Sequence, residues 1–434
     1  MTLPAPIAIL GYGLSRGYEE YDRFRGGEPY KMVWSTAQGA PVAGARQTRM
    51  KEWQDLPMVS SDYTIETITT QEKFASLEQD WNRLSQASEL PNVFMTFDWF
   101  RAWNKRFVGE VRHGQRQLNI LVLRKDGAVV GISPLVCRVY SRVGFTARKL
   151  GFVGRAGDYS DLVLGDGSAA QIEAIVEFLA GTSEQWDIID LRDLREAGNA
   201  IERIESALSK ARLAYRIAPE LERCPYMPID APWSEMLGRR SPSTRHVFRN
   251  QQSRLNRLGT QGLRVRIIEN PQQEPGLLER LIALEAQKHV GGQLAPPFLG
   301  NHPEVFRSLF DTLGPRGWFS IALMELGERP LAWHLLFRCG QKLWGYLTVY
   351  NHDFAHLSPG KMLIPPIVDY GFAHGFREYD FCKGEEPYKT RFTTDSRQIY
   401  RLQIWNRRWI SRACKFAYFD LWPAFRRWVP VPKV

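Results

Sequence analysis

The sequence predicts an α+β protein of two related halves, each a mixed, mostly antiparallel sheet flanked by helices, followed by a basic, aromatic tail. Three observations lead there. The chain has 434 residues, two to three times a common domain size, so more than one core is the default. Residues 118–135 (LNILVLRKDGAVVGISPL) and 319–337 (FSIALMELGERPLAWHLLF) echo each other as strand, turn at Gly127 or Gly327, strand. After the second echo come another strand, one helix and a return strand, the order of a mixed α+β sheet.

In chain order, residues 12–31 (YGLSRGYEEYDRFRGGEPYK) match residues 370–389 (YGFAHGFREYDFCKGEEPYK) at eleven of twenty positions without a gap. Such a match marks an internal repeat, and residues 1–35 read as the stump of a truncated copy. Residues 36–61, rich in Gly, Ala, Arg and Ser, read as a linker. The first half is expected over 62–217, with a strand at 186–192 (WDIIDLR) and a helix through Ile201, Ile204, Leu208 and Ala211. The second half, 218–401, opens with a basic helix around Arg245, Arg249, Arg254 and Arg257, then a helix through Leu277, Leu281 and Leu284. Strands near 319–324, 332–338 and 343–350, a helix from 360 to 374 and a strand at 378–382 complete it.

Composition limits the function classes. Hydrophobic residues at 44% and charged residues at 24% exclude a collagenous, low-complexity or largely disordered chain. Fourteen Trp call for deep packing or a surface that meets something apolar. Five cysteines without a CxxC pair support neither a disulfide framework nor a zinc ribbon, which suggests a reducing compartment. No run of apolar residues is long enough to span a membrane, and no basic region precedes the N-terminal apolar stretch. A cytoplasmic protein is expected.

The net charge is +10, and residues 402–434 with Arg401 carry eight basic residues against Asp420 alone. A helix from Arg407 would set Arg408, Arg412 and Lys415 opposite Trp409, Ile410, Ala413 and Phe416. Such a tail suits peripheral attachment to the anionic inner face of a membrane, or its apolar side docks on the protein's own sheet.

Residues 351–393 hold a Ser358-Pro359-Gly360 loop opening a helix, Gly375, Tyr379-Asp380 on a strand, then Gly384, Glu386, Tyr388 and Lys389. Together and in this order they resemble the C-terminal signature of the CelD-like branch of the GNAT superfamily, which is similar to the FemAB transferases. Gly131–Leu135 in sequence (GISPL) and residues 154–161 resemble the family's upstream region. The resemblance implies tandem GNAT-like halves and an acyltransferase. Its cosubstrate would be acyl-CoA or an acyl carrier protein, and its acceptor an amine or hydroxyl of a polysaccharide or lipid precursor. The RxxGxG/A pyrophosphate loop of most GNAT enzymes is absent from the sequence. FemAB-like use of aminoacyl-tRNA, or a non-catalytic scaffold, are the competing readings.

A helix N-terminus offers unpaired N–H groups and positive potential, so the loop of Leu357, Ser358, Gly360 and Lys361 is the candidate donor site. Ser-Pro-Gly is equally a good cap and turn. Direct transfer needs a base for the acceptor's proton and dipoles for the oxyanion, but no covalent nucleophile. His334 and Asp380 are the candidate bases. A strand His can also be a packing residue, and Asp380, repeated as Asp22, can also cap a turn. Tyr346 and Tyr350 are read on one strand face, lining an acyl channel or packing the core. Arg245 and Arg249 are expected to meet phosphate unless the helix face is merely solvated. Glu386, Tyr388 and Lys389 are expected near substrate, although Glu386 and Lys389 could pair with each other. No metal site is expected, and no DNA partner, for want of a recognition-helix motif.

Overall fold

The computed structural model describes residues 58–411, apart from 61, 88–90, 108, 112–113, 143–144, 154–156, 166, 196–199, 260–261, 289–297, 300–302 and 409–410. The N-terminal repeat, nearly all of the linker and most of the tail lie outside the described residues.

The first part of the chain runs β1 (Met58–Ser60), β2 (Tyr63–Ile68), α1 (Gln71–Ser76), α2 (Glu78–Ala87), α3 (Phe97–Phe107), β3 (Gly109–Val111), β4 (Gly114–Lys125), β5 (Ala128–Arg142), β6 (Phe145–Phe152), β7 (Val163–Leu164), α4 (Ala169–Gly181), β8 (Ile188–Arg195), α5 (Ala200–Lys210) and β9 (Ala214–Pro219). Then come β10 (Cys224–Pro228), α6 (Trp233–Gly238), α7 (Pro242–Gly259), β11 (Leu263–Ile268), α8 (Leu277–Lys288), α9 (Pro303–Leu313), β12 (Phe319–Leu326), β13 (Arg329–Cys339), β14 (Lys342–Tyr350), α10 (Pro359–Met362), α11 (Ile364–Ala373), β15 (Glu378–Asp380), β16 (Ser396–Arg397) and β17 (Ile399–Trp405).

Local chemistry explains several boundaries. The β4–β5 hairpin closes over Asp126 and Gly127, with φ of 50° and 80°, and Asp-Gly is the pair that tolerates the two left-handed positions of a type I′ turn. Helix α4 begins where the Ser168 side chain accepts a hydrogen bond from the Gln171 N–H. In β12, Phe319, Ile321 and Leu323 enter one core while Ala322 and Met324 enter another, the period-two pattern of a strand covered on both faces.

Two α+β halves result. The first sheet has the order β1-β2-β4-β5-β6-β8-β17-β9, with β3 and β7 at its margins, and the second β11-β12-β13-β14-β15-β10-β16. Among the described strands each sheet contains one parallel pair, β6 with β8 and β14 with β15. Each sheet is sandwiched: α1–α3 and α4–α5 cover the first, while α8–α9 and α6, α7, α10 and α11 cover the second.

The halves also exchange chain. Strand β17 follows the second sheet in sequence but pairs with β8 and β9 of the first. The boundary expected at 401 therefore falls inside a strand of the first sheet, and residues 402–405 are sheet rather than tail. Arg401 fixes this return, its guanidinium donating to both carboxylate oxygens of Asp190 at 2.7 and 3.0 Å. Arg408 pairs with Asp187 at 3.4 Å, and Ser411 donates to the Asp187 carbonyl at 2.6 Å. Two of the cations counted for the tail thus neutralise acids of the first half.

Much of the aromatic content lies between the halves. Val93, Phe94, Trp99, Trp103 and Tyr159 share one core with Phe337, Trp344 and Tyr346 of the second sheet. Phe94 and Tyr159 lie edge-on to Trp344 at ring-centroid distances of 5.5 and 5.3 Å. A buried aromatic seam of this kind makes independent movement of the halves costly.

Candidate active site

The second sheet contains a fork. β14 and β15 run parallel and pair only at Lys342↔Glu378, Leu343↔Tyr379 and Trp344↔Asp380. β15 ends there while β14 continues to Tyr350. The strands therefore part at Asp380. Helix α10 opens beside the free stretch of β14, and a Cβ on Gly360 would lie 2.8 Å from Thr348 Cγ2 and 3.7 Å from the Tyr350 ring.

The four residues expected at the donor, Leu357, Ser358, Gly360 and Lys361, lie together on this face. Ser358 has a left-handed backbone (φ 53°) and precedes Pro359, and its hydroxyl accepts from Gln251 Nε2 of α7 at 2.9 Å. Leu357 is anchored in the core beneath. The Lys361 ammonium is pushed down in pKa, first by partial burial and then by neighbouring Arg391. A first helical turn leaves its N–H groups without acceptors, and here Lys361 and Arg391 add positive charge.

Gly360 serves packing as well as any ligand. Its missing side chain lets α10 sit on Thr348, so Gly360→Val should destabilise the fold. A lowered melting temperature in a thermal unfolding scan checks this, and makes the glycine a poor probe of binding.

His334 belongs to the same face but acts as a tie. Its Nε2 lies 2.7 Å from the Gly360 carbonyl and 2.9 Å from Thr348 Oγ1, and its Nδ1 lies 3.3 Å from the Tyr379 hydroxyl. A carbonyl only accepts, so Nε2 carries the proton and Nδ1 accepts from Tyr379. Burial pushes the His334 pKa down to about 4, so the neutral ring links the fork to the donor loop.

Asp380 faces the other way, toward the first half. It is fully buried. Its Oδ2 accepts from the Tyr159 hydroxyl at 2.7 Å and from Arg397 at 3.2 Å, and its Oδ1 accepts from the Cys382 N–H at 2.7 Å. The turn-capping bond weighed from the sequence exists, at a residue with φ of 58°. Burial raises the carboxyl to about 7, against the lowering effects of the Tyr159 hydrogen bond and Arg397. A carboxyl that titrates near neutrality at the parting of two strands can exchange a proton.

Tyr346 and Tyr350 do not share a face. The β13–β14 register shifts between Leu335 and Leu336, which face Leu347 and Gly345 and leave Tyr346 as the extra residue. A bulge interrupts alternation. Tyr346 joins the aromatic seam with Phe94, Trp99 and Phe337, whereas Tyr350 packs on the opposite face.

The GEEPYK segment is a latch. Lys389 is buried and donates to the carbonyls of Lys383 and Gly384 at 3.2 and 2.9 Å, and it pairs with Glu386 at 2.7 Å. This is the pairing that the three-residue spacing allowed. Burial raises the Tyr388 pKa, with Glu386 adding to the effect. Lys383, inside the turn, forms a buried ion pair with Asp193 of β8 at 2.6 Å, and its N–H donates to Asp158 Oδ2 at 3.0 Å. Arg245 caps α6, donating to the carbonyls of Gly238 and Arg240, and Arg249 is exposed.

Tyr159, Asp158, Asp193, Lys383 and Arg397 were not singled out from the sequence. The signals present were that Asp158 and Tyr159 fall within the upstream stretch 154–161 and Lys383 within the repeat 370–389. Among the described residues no group of three or more His, Cys, Asp or Glu side chains could hold a metal ion.

Residues 242–390 match the family model described as an acetyltransferase (GNAT) domain. The solved structure of FemX is similar in fold, with a TM-score of 0.52 and 12% identity over 75% of this chain and 95% of that one. A conserved protein of unknown function from Bacteroides thetaiotaomicron gives a TM-score of 0.46 at 10% identity, over 78% and 100% of the two chains. A tandem GNAT protein from the clavulanic acid biosynthesis pathway gives 0.38 at 10%, over 78% and 98%. No curated protein matches the sequence. The fold and the matched domain define an acyltransferase. The matched GNAT domain, residues 242–390, lies in the second half.

Proposed function

We propose that the protein transfers an acyl group directly from acyl-CoA to an amine or hydroxyl of a polysaccharide or lipid precursor. The observation that carries this reading is the fork: two parallel strands that part after Trp344 and Asp380, with a helix opening beside the free edge. The thioester would approach with its phosphates near Ser358–Lys361 and its carbonyl at the parting. The acceptor's lone pair attacks that carbonyl, its proton passes to Asp380, the C–S bond breaks, and sulfur leaves as the thiol after regaining a proton. Tyr159, kept protonated by burial and by the Asp380 charge, orients the carboxylate. His334 holds the donor loop rather than taking the proton.

The acceptor class rests on the likeness of residues 351–393 to the CelD-like branch. The competing donor, aminoacyl-tRNA, rests on the resemblance of the sequence to the FemAB transferases and on the arginines of α7. Thermal unfolding separates the two. A ligand at a hundred times its Kd stabilises by about 2.7 kcal/mol, so acetyl-CoA should raise the melting temperature. A rise with aminoacyl-tRNA alone would select the other donor.

Membrane attachment is the second part of the proposal. No helix among the described residues is long and apolar enough to cross a membrane. Arg412, Lys415, Arg426, Arg427 and Lys433 would each contribute about 1 kcal/mol near an anionic leaflet. Full-length protein should pellet with anionic vesicles and be released by salt, whereas a chain ending at Ser411, which keeps the Asp187 contacts, should not. Equal pelleting of both proteins rules the tail out as the anchor.

A further inference from the structure

We infer that Glu378 and Arg397 are a positioning pair that keeps Asp380 able to accept a proton, because Glu378 takes both prongs of the Arg397 guanidinium and leaves Asp380 a single bond to it. This rests on the reading of Asp380 as the base and deepens it.

Arg397 lies on β16, outside the matched residues 242–390. Its guanidinium is held from three sides. Glu378 accepts from Nη1 at 2.9 Å and from Nη2 at 2.5 Å, the two-pronged geometry in which an arginine is bound most strongly by one carboxylate. The Tyr226 ring lies against it, with 3.6 Å from Cζ to the ring centroid. Asp380 receives what remains, one bond from Nη1 at 3.2 Å. Glu378 is shared in turn with Lys342 of β14 at 3.1 Å. Lys342, Glu378, Arg397 and Asp380 therefore alternate in charge beside the parting of β14 and β15.

The other groups around the Asp380 carboxyl cannot replace this pair. Tyr159 of the first half, Cys224 of β10 and Cys382 of the turn present a hydroxyl and two thiols that burial keeps protonated. Asp158, which acts on the same thiols, accepts from the Lys383 N–H, and the Lys383 ammonium is committed to Asp193. Tyr379 turns to the opposite face, toward His334. Among the described residues Arg397 is thus the cation that pairs with Asp380, and Glu378 is the carboxylate that opposes its effect. A guanidinium given wholly to Asp380 would hold the carboxylate ionised and make it a weak base. With no guanidinium, burial would keep the carboxyl protonated past neutrality. Sharing Arg397 between two carboxylates sets the balance, whereas a role confined to stapling β14, β15 and β16 would show in stability alone.

The test is carbon-13 NMR of the full chain labelled at the aspartate carboxyl carbon, with the Asp380 signal identified by its loss in Asp380→Asn. In the wild type that signal should titrate near neutrality. Arg397→Gln should move the midpoint upward by about one pH unit or more, and Glu378→Gln should move it downward by giving Asp380 the whole guanidinium. Arg397→Lys, which keeps the charge, should bring the midpoint most of the way back. Should Arg397→Gln fail to fold, the downward shift in Glu378→Gln decides alone. Midpoints unmoved in folded variants overturn the pair and leave the base standing, even where melting temperatures fall. A wild-type midpoint in the ordinary carboxylate range overturns both. A limb of the kcat profile near neutrality that survives in Asp380→Asn overturns the base and leaves the pair's hold on the carboxyl standing.

Discussion

Asp380→Asn should lower kcat on the order of 10²-fold or more, the scale of removing a general base. Asparagine keeps the shape, and its one oxygen can still accept from the Cys382 N–H, while its amide nitrogen, which only donates, replaces the oxygen that accepted from Tyr159 and Arg397, so the cap persists and basicity is lost. The pH profile carries the sign. A carboxyl raised to about 7 is a base only when deprotonated, so wild-type kcat should rise through neutrality, and the variant's residual rate should lose that limb. Stability moves oppositely. The folded pKa lies above the unfolded value of 3.8, so this group's contribution is full below pH 4 and is lost as pH rises toward and through 7. The Asn variant should lack that decline. Full activity with a lowered melting temperature would leave Asp380 only its turn-capping role.

The largest loss of stability is expected at the latch. Lys383→Met strands Asp193, whose partner is 2.6 Å away with both side chains almost wholly buried, and breaking one side of such a pair costs about 3–5 kcal/mol. The double variant Lys383→Met/Asp193→Asn should recover much of this by removing the orphaned charge. Denaturant unfolding of the two singles and the double measures the coupling. Lys383 lies three residues after Asp380 and binds the first half through Asp193 and Asp158, so the single variant should also lower kcat. Strictly additive effects on stability would show that the pair does not join the halves.

Local pattern made much of the architecture legible. The hairpins about Gly127 and Gly327, the WDIIDLR strand and the helices around Arg249 and Leu281 depend on neighbours in sequence, and each is present. The Glu386–Lys389 pair was likewise within reach of its spacing. Contacts between distant segments were not legible. The boundary expected at 401 cut through residues 399–405 (IYRLQIW), and nothing in them says that their partners lie at 188–195 and 214–219. Tyr159 and Asp380 are 221 residues apart, and only folding two sheets against one aromatic seam brings them together. The bulge at Tyr346 was hidden for a different reason: period-two reasoning assumes an uninterrupted ladder, and one extra residue reverses every face assignment after it.

In the proposed reaction a thioester donor occupies the fork of the second half, with its phosphates at the opening of α10. Isothermal titration of acetyl-CoA into the full chain tests it most directly, beside Lys361→Gln, which removes the loop's cation while leaving its glycine and cap intact. One site is expected in the wild type, with affinity reduced about ten-fold, or 1.4 kcal/mol, in the variant. No heat of binding in the wild type, or equal affinity in the two proteins, would contradict it.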